Sequence, residues 1–352
     1  MTKICLYLHM HLPKEINGFN ILDLGHHQNY FDDHKTRNKV LEKSEQIKIF
    51  NNELLKKLNN SFKISLGISG TSYELLKEYD AESLKSIQNL VKTGFVEVVG
   101  ETYYNSLTSI HSKNEFLEQV KMHKELMKKE LHYSPTTFKN TSLIYTKDMS
   151  LIVQEAGFDT ILANGNNFNM NPNFFYRDDH NKILVKNHFL TDYLNNKIYE
   201  ESNQGLLSPE DFLENIGEDQ KIVNIFIDYS KIKNVHKITD FLIKFVDLAL
   251  EKKYEFITPK EAKEEITEYF NGEFSGEVNN IQKSALDKLH SIETKIKNYA
   301  CPVLLSTWRH LTSKEHIDLM NYEYLRSEKN PYDIYITFNN ILKDLVMRTE
   351  VA

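Results

Sequence analysis

The 352-residue sequence has few cysteines, one tryptophan and no long hydrophobic run. Its two cysteines, Cys5 and Cys301, match neither a disulfide framework nor a metal-ligand spacing, and are typical of small buried side chains in a reducing compartment. No stretch approaches the roughly 18 apolar residues of a membrane-spanning helix. The apolar N-terminal run is interrupted by His9 and lacks a small-residue cleavage site, so we expect no secretory signal. We therefore expect a cytoplasmic protein that does not contact a membrane.

The sequence also lacks an excess of positive charge. Its 43 lysines and arginines stand against 50 acidic residues, a net charge of -7, whereas nucleic-acid binding needs a basic face. No glycine-rich phosphate loop follows the first predicted strand, which disfavours a nucleotide fold. We expect no nucleic-acid partner and no cofactor, and a polysaccharide or a neutral metabolite fits the charge balance.

What the sequence does contain is an alternation of short apolar segments with longer amphipathic ones. This α/β rhythm is typical of parallel strands with helices packed outside them. About seven strands in such a rhythm favour a TIM-like barrel over an open doubly wound sheet. The predicted strands lie at 4–10, 62–69, 95–99, 136–139, 160–163, 223–228 and 254–257.

The pattern changes after about residue 270. Helical periodicity runs through 280–299, 312–327 and 331–347, with no Pro- or Ser-rich linker before it. We predict a barrel domain at 1–270 and a C-terminal helical domain at 271–352 that packs on the barrel. Residues 164–207 are rich in Asn and aromatic side chains, and are predicted to form a long loop over the active face of the barrel.

Two histidines mark the end of the first strand. His9 and His11 are two residues apart and share a face of the strand, at the carboxyl end where barrel active sites lie. This spacing suits metal ligation in a metal-dependent hydrolase. Hydrogen bonding inside a packed barrel mouth is the alternative, and the spacing alone leaves both open.

Asp228 ends the apolar segment IFID at residues 225–228. An unpaired buried carboxylate is costly, so this side chain must reach solvent, a partner or a substrate. From its position alone, Asp228 either caps the next helix or lines a cleft.

Two further strings carry a family resemblance. Residues 96–107 read VEVVGETYYNSL, and residues 138–145 read FKNTSLIY. Together they resemble the α-amylase branch of glycoside hydrolase family 57, whose second string usually reads F-R-N-T-E-L. IFIDY at 225–229 is similar to that family's F-M-D-Y-E-T-F-G-E-H, and HLP at 11–13 to its H-Q-P. The resemblance implies an incomplete TIM-like (β/α)7 barrel with a C-terminal helical bundle, and activity on α-1,4-glucans such as starch, glycogen and maltooligosaccharides.

The resemblance also implies roles for single residues. Asp228 stands at the general acid/base position, and Ser142 at the position of the glutamate nucleophile. Asn105 and Ser230 replace a histidine and a glutamate, the tryptophan of W-L-G-N is absent from 277–282, and WRHLTSKEH at 308–316 has Lys-Glu where the family's L-Q-T-S-D-H has Asp. The implied substrate-binding residues, with no metal, are His11, Glu101, Tyr103, Tyr104, His236 and Trp308.

These residues support three hypotheses. The first is an α-amylase-like protein that binds an α-glucan and is catalytically impaired by Ser142, because a serine without an adjacent base is a weak nucleophile. The second is an active retaining glycoside hydrolase or 4-α-glucanotransferase with a substitute carboxylate, for which Glu101 is the candidate. The third is a metal-dependent hydrolase or deacetylase that uses His9, His11 and Asp228.

Overall fold

The computed structural model describes residues 2–26, 29–165, 171–199, 208–217, 220–262, 268–270, 272–274, 276, 278–321 and 330–350. The strands within these ranges are β1 (Lys3–Met10), β2 (Ile64–Ile68), β3 (Val96–Val98), β4 (Thr137–Lys139), β5 (Thr160–Ala163), β6 (Phe175–Arg177), β7 (Lys182–Val185), β8 (Ile222–Asp228), β9 (Glu255–Phe256) and β10 (Glu268–Tyr269). The α-helices are α1 (Asp33–Lys57), α2 (Gly70–Tyr79), α3 (Ala81–Lys92), α4 (Lys113–Leu131), α5 (Lys147–Glu155), α6 (His188–Tyr199), α7 (Pro209–Glu214), α8 (Val235–Glu251), α9 (Asn280–Ser291), α10 (Glu293–Tyr299), α11 (Pro302–Leu311), α12 (Lys314–Asp318) and α13 (Pro331–Arg348).

Seven of these strands run parallel and close into a ring. β1 lies between β2 and β8, β2 pairs with β3, β4 with β5, and β5 with β7. A parallel bridge between Gly100 and Phe138 joins the ends of β3 and β4. The Asn224 side-chain amide of β8 donates to the Val185 carbonyl of β7 at 2.9 Å. The predicted incomplete TIM-like barrel is therefore confirmed, in the order β1-β2-β3-β4-β5-β7-β8.

Side-chain caps begin the helices α2 and α4, which follow the strands β2 and β3. β1 is buried from Ile4 to Leu8, as expected for a parallel strand that is covered on both faces. The Ser69 side chain accepts the Ser72 N–H and starts α2 directly after β2, and Ser112 caps α4 in the same way. Polar residues at these strand ends are thus fixed on one face of the barrel.

The prediction of a long loop at 164–207 is wrong. β6, β7 and all of α6 lie within it, while residues 166–170 and 200–207 lie outside the described part of the chain. β7 is a barrel strand, whereas the predicted strand at 254–257 is the two-residue β9, which pairs with β1 at Lys3 and Ile4. β7 has four residues, KILV, and so short an apolar run gives little periodicity to detect.

The helical region differs from its prediction at one place. α9 and α10 fill the predicted segment 280–299, and α13 occupies 331–347. The helix predicted at 312–327 is wrong at its start, because α11 ends at Leu311 and α12 covers Lys314–Asp318. Residues 322–329 lie outside the described ranges. α11 was not predicted, although Pro302 at its first turn is a typical helix start.

The helical region shares a hydrophobic core with loops of the barrel. Leu107 and Ile144, which follow β3 and β4, pack in the same cluster as Trp308 of α11 and Phe338 of α13. The Lys314 N–H donates to the Asn105 carbonyl at 3.0 Å. These contacts hold α12 beside the carboxyl ends of the strands. None of the described helices has the length and apolar character needed to cross a membrane.

Candidate active site

A cleft opens at the carboxyl ends of the strands, where barrel active sites lie, between the barrel and α12. It contains two adjoining cavities of about 230 and 410 Å³, both of which are lined by Ser142, Lys314 and Asp318. β1 contributes His9 to the smaller cavity, and β8 contributes Asp228. The sequence-based placement of a site at these strand ends is consistent with this geometry.

Asp228 lies on the wall of the smaller cavity. It is paired in register with His9 on the neighbouring strand, so both residues sit at the same level of the barrel. One carboxylate oxygen accepts the Ser230 hydroxyl at 2.6 Å, and the other lies 3.0 Å from the Lys231 ammonium. Both oxygens of Asp228 are therefore engaged by residues that directly follow it.

The floor of the cleft is a buried charge cluster formed by His9, Glu101 and Lys139. His9 Nε2 lies 3.0 Å from Glu101 Oε2 and 3.2 Å from Lys139 Nζ, and Lys139 Nζ lies 3.8 Å from the same Glu101 oxygen. Burial would raise the pKa of Glu101, but the charges of His9 and Lys139 outweigh burial and lower that pKa to about 2. Glu101 is thus an ionised carboxylate that holds two neighbouring groups in place.

Glu101 does not line either cavity, and 1% of its surface is exposed. The predicted roles for this residue, substrate contact or substitute nucleophile, both need access to a sugar. The structure instead places Glu101 beneath Lys139 and His9, so this expectation is corrected. Lys139 was not predicted as a site residue, although it stands inside the quoted string FKNTSLIY.

Ser142 lies between the two cavities in a strained backbone conformation. Its φ of 56° and the φ of 56° at Leu143 place two successive non-glycine residues in the left-handed region. The Ser142 hydroxyl oxygen is buried and has no hydrogen-bond partner among the described residues. Such strain is often found at functional sites. Among the described residues, no base lies within hydrogen-bonding distance of the Ser142 hydroxyl to activate it.

His11 joins the barrel to α12. Its Nδ1 lies 2.6 Å from the Ser69 hydroxyl, and its Nε2 lies 3.0 Å from both the Ser313 hydroxyl and a Glu315 oxygen. The Asn105 side chain donates to the other Glu315 oxygen at 2.9 Å. Burial would raise the pKa of Glu315, but His11 outweighs burial and holds that pKa well below its usual range. Glu315 therefore brings an ionised carboxylate to the cleft lining.

The two histidines do not form a metal site with Asp228. Both ring nitrogens of His11 contact hydroxyl or carboxylate groups of the protein, and the Lys139 ammonium beside His9 repels a cation. Throughout the described ranges, no group of three His, Cys, Asp or Glu side chains is arranged to hold a metal ion. Of the two interpretations left open for His9 and His11, the geometry favours hydrogen bonding.

Four predicted substrate contacts lie away from both cavities. Trp308 is fully buried in the helical core and donates its indole N–H to the Leu289 carbonyl at 2.8 Å. His236 is exposed in the first turn of α8. Tyr103 and Tyr104 are buried against one another, and their ring centroids are 4.9 Å apart. Trp308, Tyr103 and Tyr104 are packed in the interior and His236 is exposed outside the two cavities, and their contact with a substrate stays a prediction.

Several cleft residues were not predicted from the sequence. Lysines line the smaller cavity at positions 139, 186, 231 and 314, and α6 adds Thr191 and Asn195. α6 lies in the segment that was interpreted as a loop. Glu315 was noted only as a departure from the family string, and its role becomes visible when α12 is seen to form one wall of the cleft.

The barrel and the cleft at its strand ends define a TIM-like barrel protein with a candidate site at the carboxyl face. The family pattern described as "Glycosyl hydrolase family 57" matches residues 5–272, more than half of the chain. The chain therefore belongs to glycosyl hydrolase family 57, and the resemblance stated from the sequence is confirmed. A curated protein of Methanocaldococcus jannaschii named "Putative alpha-amylase" is 26% identical over 340 residues, which cover 83% of this chain and 73% of that protein.

Solved structures share the fold at low identity. A family 57 branching enzyme from Thermococcus kodakaraensis, in complex with glucose, has a TM-score of 0.70 at 10% identity, with 97% of this chain and 88% of that chain covered. A 4-alpha-glucanotransferase from Thermococcus litoralis has a TM-score of 0.60 at 15% identity, with 96% of this chain covered. This chain spans 55% of the length of that transferase.

Proposed function

We propose that this chain binds an α-1,4-glucan or maltooligosaccharide in its cleft and hydrolyses it little or not at all. Family membership supports the glucan, since the relatives are named as an alpha-amylase, a branching enzyme and a glucanotransferase. The cleft lies at the barrel face where such enzymes act, and its two adjoining cavities offer an elongated site.

The observation that carries the proposed impairment is the state of Ser142. Retaining glycosidases need two carboxyl groups about 5 Å apart, one as nucleophile and one as acid/base. The family resemblance assigns the first position to Ser142, whose hydroxyl has no hydrogen-bonded base among the described residues. An unactivated hydroxyl attacks poorly, and the ether that it would form with a sugar is a poor intermediate because an alkoxide is a poor leaving group.

The contacts of Asp228, at the general acid/base position of the family resemblance, also support the proposed impairment. A general acid must hold a proton and release it to the leaving oxygen. Both Asp228 oxygens already contact protein groups: the Ser230 hydroxyl donates to one at 2.6 Å, and the Lys231 ammonium lies 3.0 Å from the other. A leaving oxygen would have to displace one of these contacts to reach the Asp228 carboxylate.

Titration calorimetry with maltose to maltoheptaose, together with reducing-sugar release from the same ligands, tests the proposal. We expect saturable binding and no product release above a heat-inactivated sample. The variant Asp228→Asn should change the affinity for the oligosaccharide, and product release should remain absent. Rapid product release that Asp228→Asn abolishes would refute the impairment, and absence of binding by any oligosaccharide would refute the glucan.

A second candidate is an active enzyme with a substitute carboxylate. Glu315 and Asp318 line the same cavity as Asp228, and burial raises the pKa of Asp318 despite its ion pair with Lys314. A raised pKa is the direction that a general acid requires. In this case, product release should be present in the unmodified protein and should be lost in Asp318→Asn, while Glu125→Gln on the exposed face of α4 should have no effect.

A further inference from the structure

A groove on the helical region lies apart from both cavities of the cleft. It encloses about 420 Å³ between α9 and α13, beside the loop that contains Leu24. None of its described lining residues lines either cavity of the cleft. Ligand sites in proteins are concave, mostly apolar and about 300–1,000 Å³ in volume. The apolar residues that line this groove are Leu24, Ile292, Leu342, Val346 and Met347.

One wall of this groove is fixed by bonds to Asp344, a buried residue of α13. The Gly25 N–H donates to one Asp344 oxygen at 2.6 Å, and the Tyr30 hydroxyl donates to the other. Arg348 Nε donates to that second oxygen at 2.8 Å. These bonds hold Leu24 beside α13. The wall is therefore preorganised, and a ligand would lose little affinity to ordering it.

Two exposed lysines belong to the lining of the groove, one on each of the helices that flank it. Lys288 lies one turn before Ile292 on the α9 side, and Lys343 lies one turn before Met347 on α13. Residues four positions apart share a face of a helix. Both lysines therefore lie on the groove faces of their helices.

The charges of these two lysines are not neutralised by the groove. The Lys288 ammonium donates to the neutral Tyr335 hydroxyl at 2.7 Å, and within the described ranges neither Lys288 nor Lys343 forms an ion pair. The described lining residues of the groove include no acidic side chain. In the smaller cavity of the cleft, by contrast, each lysine is paired with a carboxylate.

An apolar wall with two unpaired ammonium groups suits an apolar anion. A glucan fits poorly, because its hydroxyl groups would lose water against the apolar residues without gaining partners. An apolar cation would be repelled by the two lysines. A fatty acid satisfies both features, because the groove removes its acyl chain from water and the ammonium groups attract its carboxylate.

We propose that this groove binds a medium-chain fatty acid, with the acyl chain against Leu24, Ile292 and Met347 and the carboxylate exposed toward the ammonium groups of Lys288 and Lys343. The long, flexible stems of the lysines let the ammonium groups follow the carboxylate. The site is separate from the cleft, so the inference does not depend on the proposed glucan.

Calorimetry on the full chain at low salt tests the inference with octanoate, 1-octanol, octyltrimethylammonium and acetate, all below the concentrations at which micelles form. We expect octanoate to bind about fivefold more tightly than 1-octanol, and this difference to shrink as salt screens the charges. Octyltrimethylammonium should bind more weakly than 1-octanol because of its charge. Acetate should show no binding, because it lacks the apolar chain.

Lysine variants test the position of the carboxylate. At least one of Lys288→Gln and Lys343→Gln should weaken octanoate binding by about threefold and leave 1-octanol binding unchanged. Lys283→Gln is the matched control, because Lys283 is also exposed on α9 but does not line the groove. This control should change neither affinity.

Ser291→Trp tests the position of the acyl chain. Ser291 is an exposed residue of the groove lining, so the indole should cover the apolar wall and abolish the binding of both octanoate and 1-octanol. Circular dichroism and maltoheptaose binding should stay unchanged. The lysine variants alter only exposed charges, and they test the site even if Ser291→Trp does not fold.

Four results would overturn the inference. Octanoate that binds no more tightly than 1-octanol would remove the anion, and so would octanoate binding that neither lysine variant weakens. Undiminished octanoate binding by folded Ser291→Trp would place the chain elsewhere. A dimer that Ser291→Trp dissociates, seen by analytical ultracentrifugation, would assign the groove to a second copy of the chain. Absence of octanoate binding would end this inference and leave the glucan proposal standing.

Discussion

The floor of the cleft and its Ser142 wall differ in how their polar groups are satisfied. In the floor, Glu101 contacts His9 and Lys139, and this contact lowers the pKa of Glu101 to about 2 although burial opposes it. At the wall, the Ser142 hydroxyl has no partner among the described residues, and its backbone is left-handed. His9 and Lys139 of the floor line the smaller cavity above the buried Glu101, and Ser142 of the wall lines both cavities without a charged group.

This difference separates the two roles that carboxylates have in such a cleft. A buried, paired carboxylate such as Glu101 shapes the site, and its loss should cost stability. A carboxylate that faces the substrate carries the chemistry, and the proposed function assigns that position to Ser142. The fold of the cleft can therefore be retained when one of the two reacting carboxylates is replaced.

The largest expected effect follows from Glu101→Gln. The change leaves the Lys139 ammonium buried without its nearest counter-ion, so the free energy of unfolding should fall by about 3 kcal/mol. Urea unfolding followed by circular dichroism measures this change. Glu125→Gln, whose side chain is 67% exposed, is the control and should stay within about 0.5 kcal/mol. A loss no greater than that of the control would remove the distinction between floor and wall.

The next effect concerns Trp308, which the sequence assigned to the cleft. Trp308→Phe should lower the free energy of unfolding by about 2 kcal/mol, because it removes buried atoms and the bond to Leu289. Maltooligosaccharide affinity should not change. Since Trp308 is the single tryptophan and is fully buried, its fluorescence should also be insensitive to ligand. Loss of affinity, or quenching by a bound sugar, would place Trp308 in the site after all.

As the pH falls, buried histidines of the helical region should lower the stability of the protein before protonation of Glu101 in the floor does. Burial lowers the pKa of His310 to about 3 and that of His316 to about 4. The unfolded chain takes up these protons below about pH 6.5, so stability falls by about 1.4 kcal/mol per pH unit for each histidine as the pH drops toward 4. Glu101 has a folded pKa of about 2, so its contribution is lost only below about pH 4.5.

Urea unfolding between pH 7 and 4 measures this slope. His310→Gln should make the slope shallower, and His236→Gln should not, because His236 is exposed. An unchanged slope in His310→Gln would show that this histidine is already protonated in the folded protein.

The smallest effect is expected at the wall. Ser142→Gly should raise the free energy of unfolding by about 1 kcal/mol, since glycine adopts a φ of 56° without strain. Ser142→Ala removes the unpartnered hydroxyl but keeps the Cβ atom, so it should be less stable than Ser142→Gly. A thermal or urea unfolding series of the three proteins measures the difference, and a loss of stability in the glycine variant would mean that the Ser142 side chain makes a stabilising contact.

The fold and part of the site could be predicted because their signals are local. Asp228 ends a long apolar strand, and the string around it is similar to a family motif, so its position at the cleft follows from a few adjacent residues. β7 escaped prediction because four residues between polar segments carry little periodicity. Glu315 and Lys314 reach the cleft through the packing of α12 on the barrel, which no sequence window contains. Trp308 was misplaced on a string resemblance, although Leu304 and Leu311 at helical spacing indicate a core position.

We propose, as the central claim, that a serine at the nucleophile position, Ser142, limits this chain to binding. The direct measurement is product release from maltoheptaose by the unmodified protein, by Ser142→Glu, and by Ser142→Glu combined with Asp228→Asn, at matched concentration and with binding checked by calorimetry. The account predicts binding by all three and product release by Ser142→Glu alone. Product release by the unmodified protein that Asp228→Asn removes would contradict it.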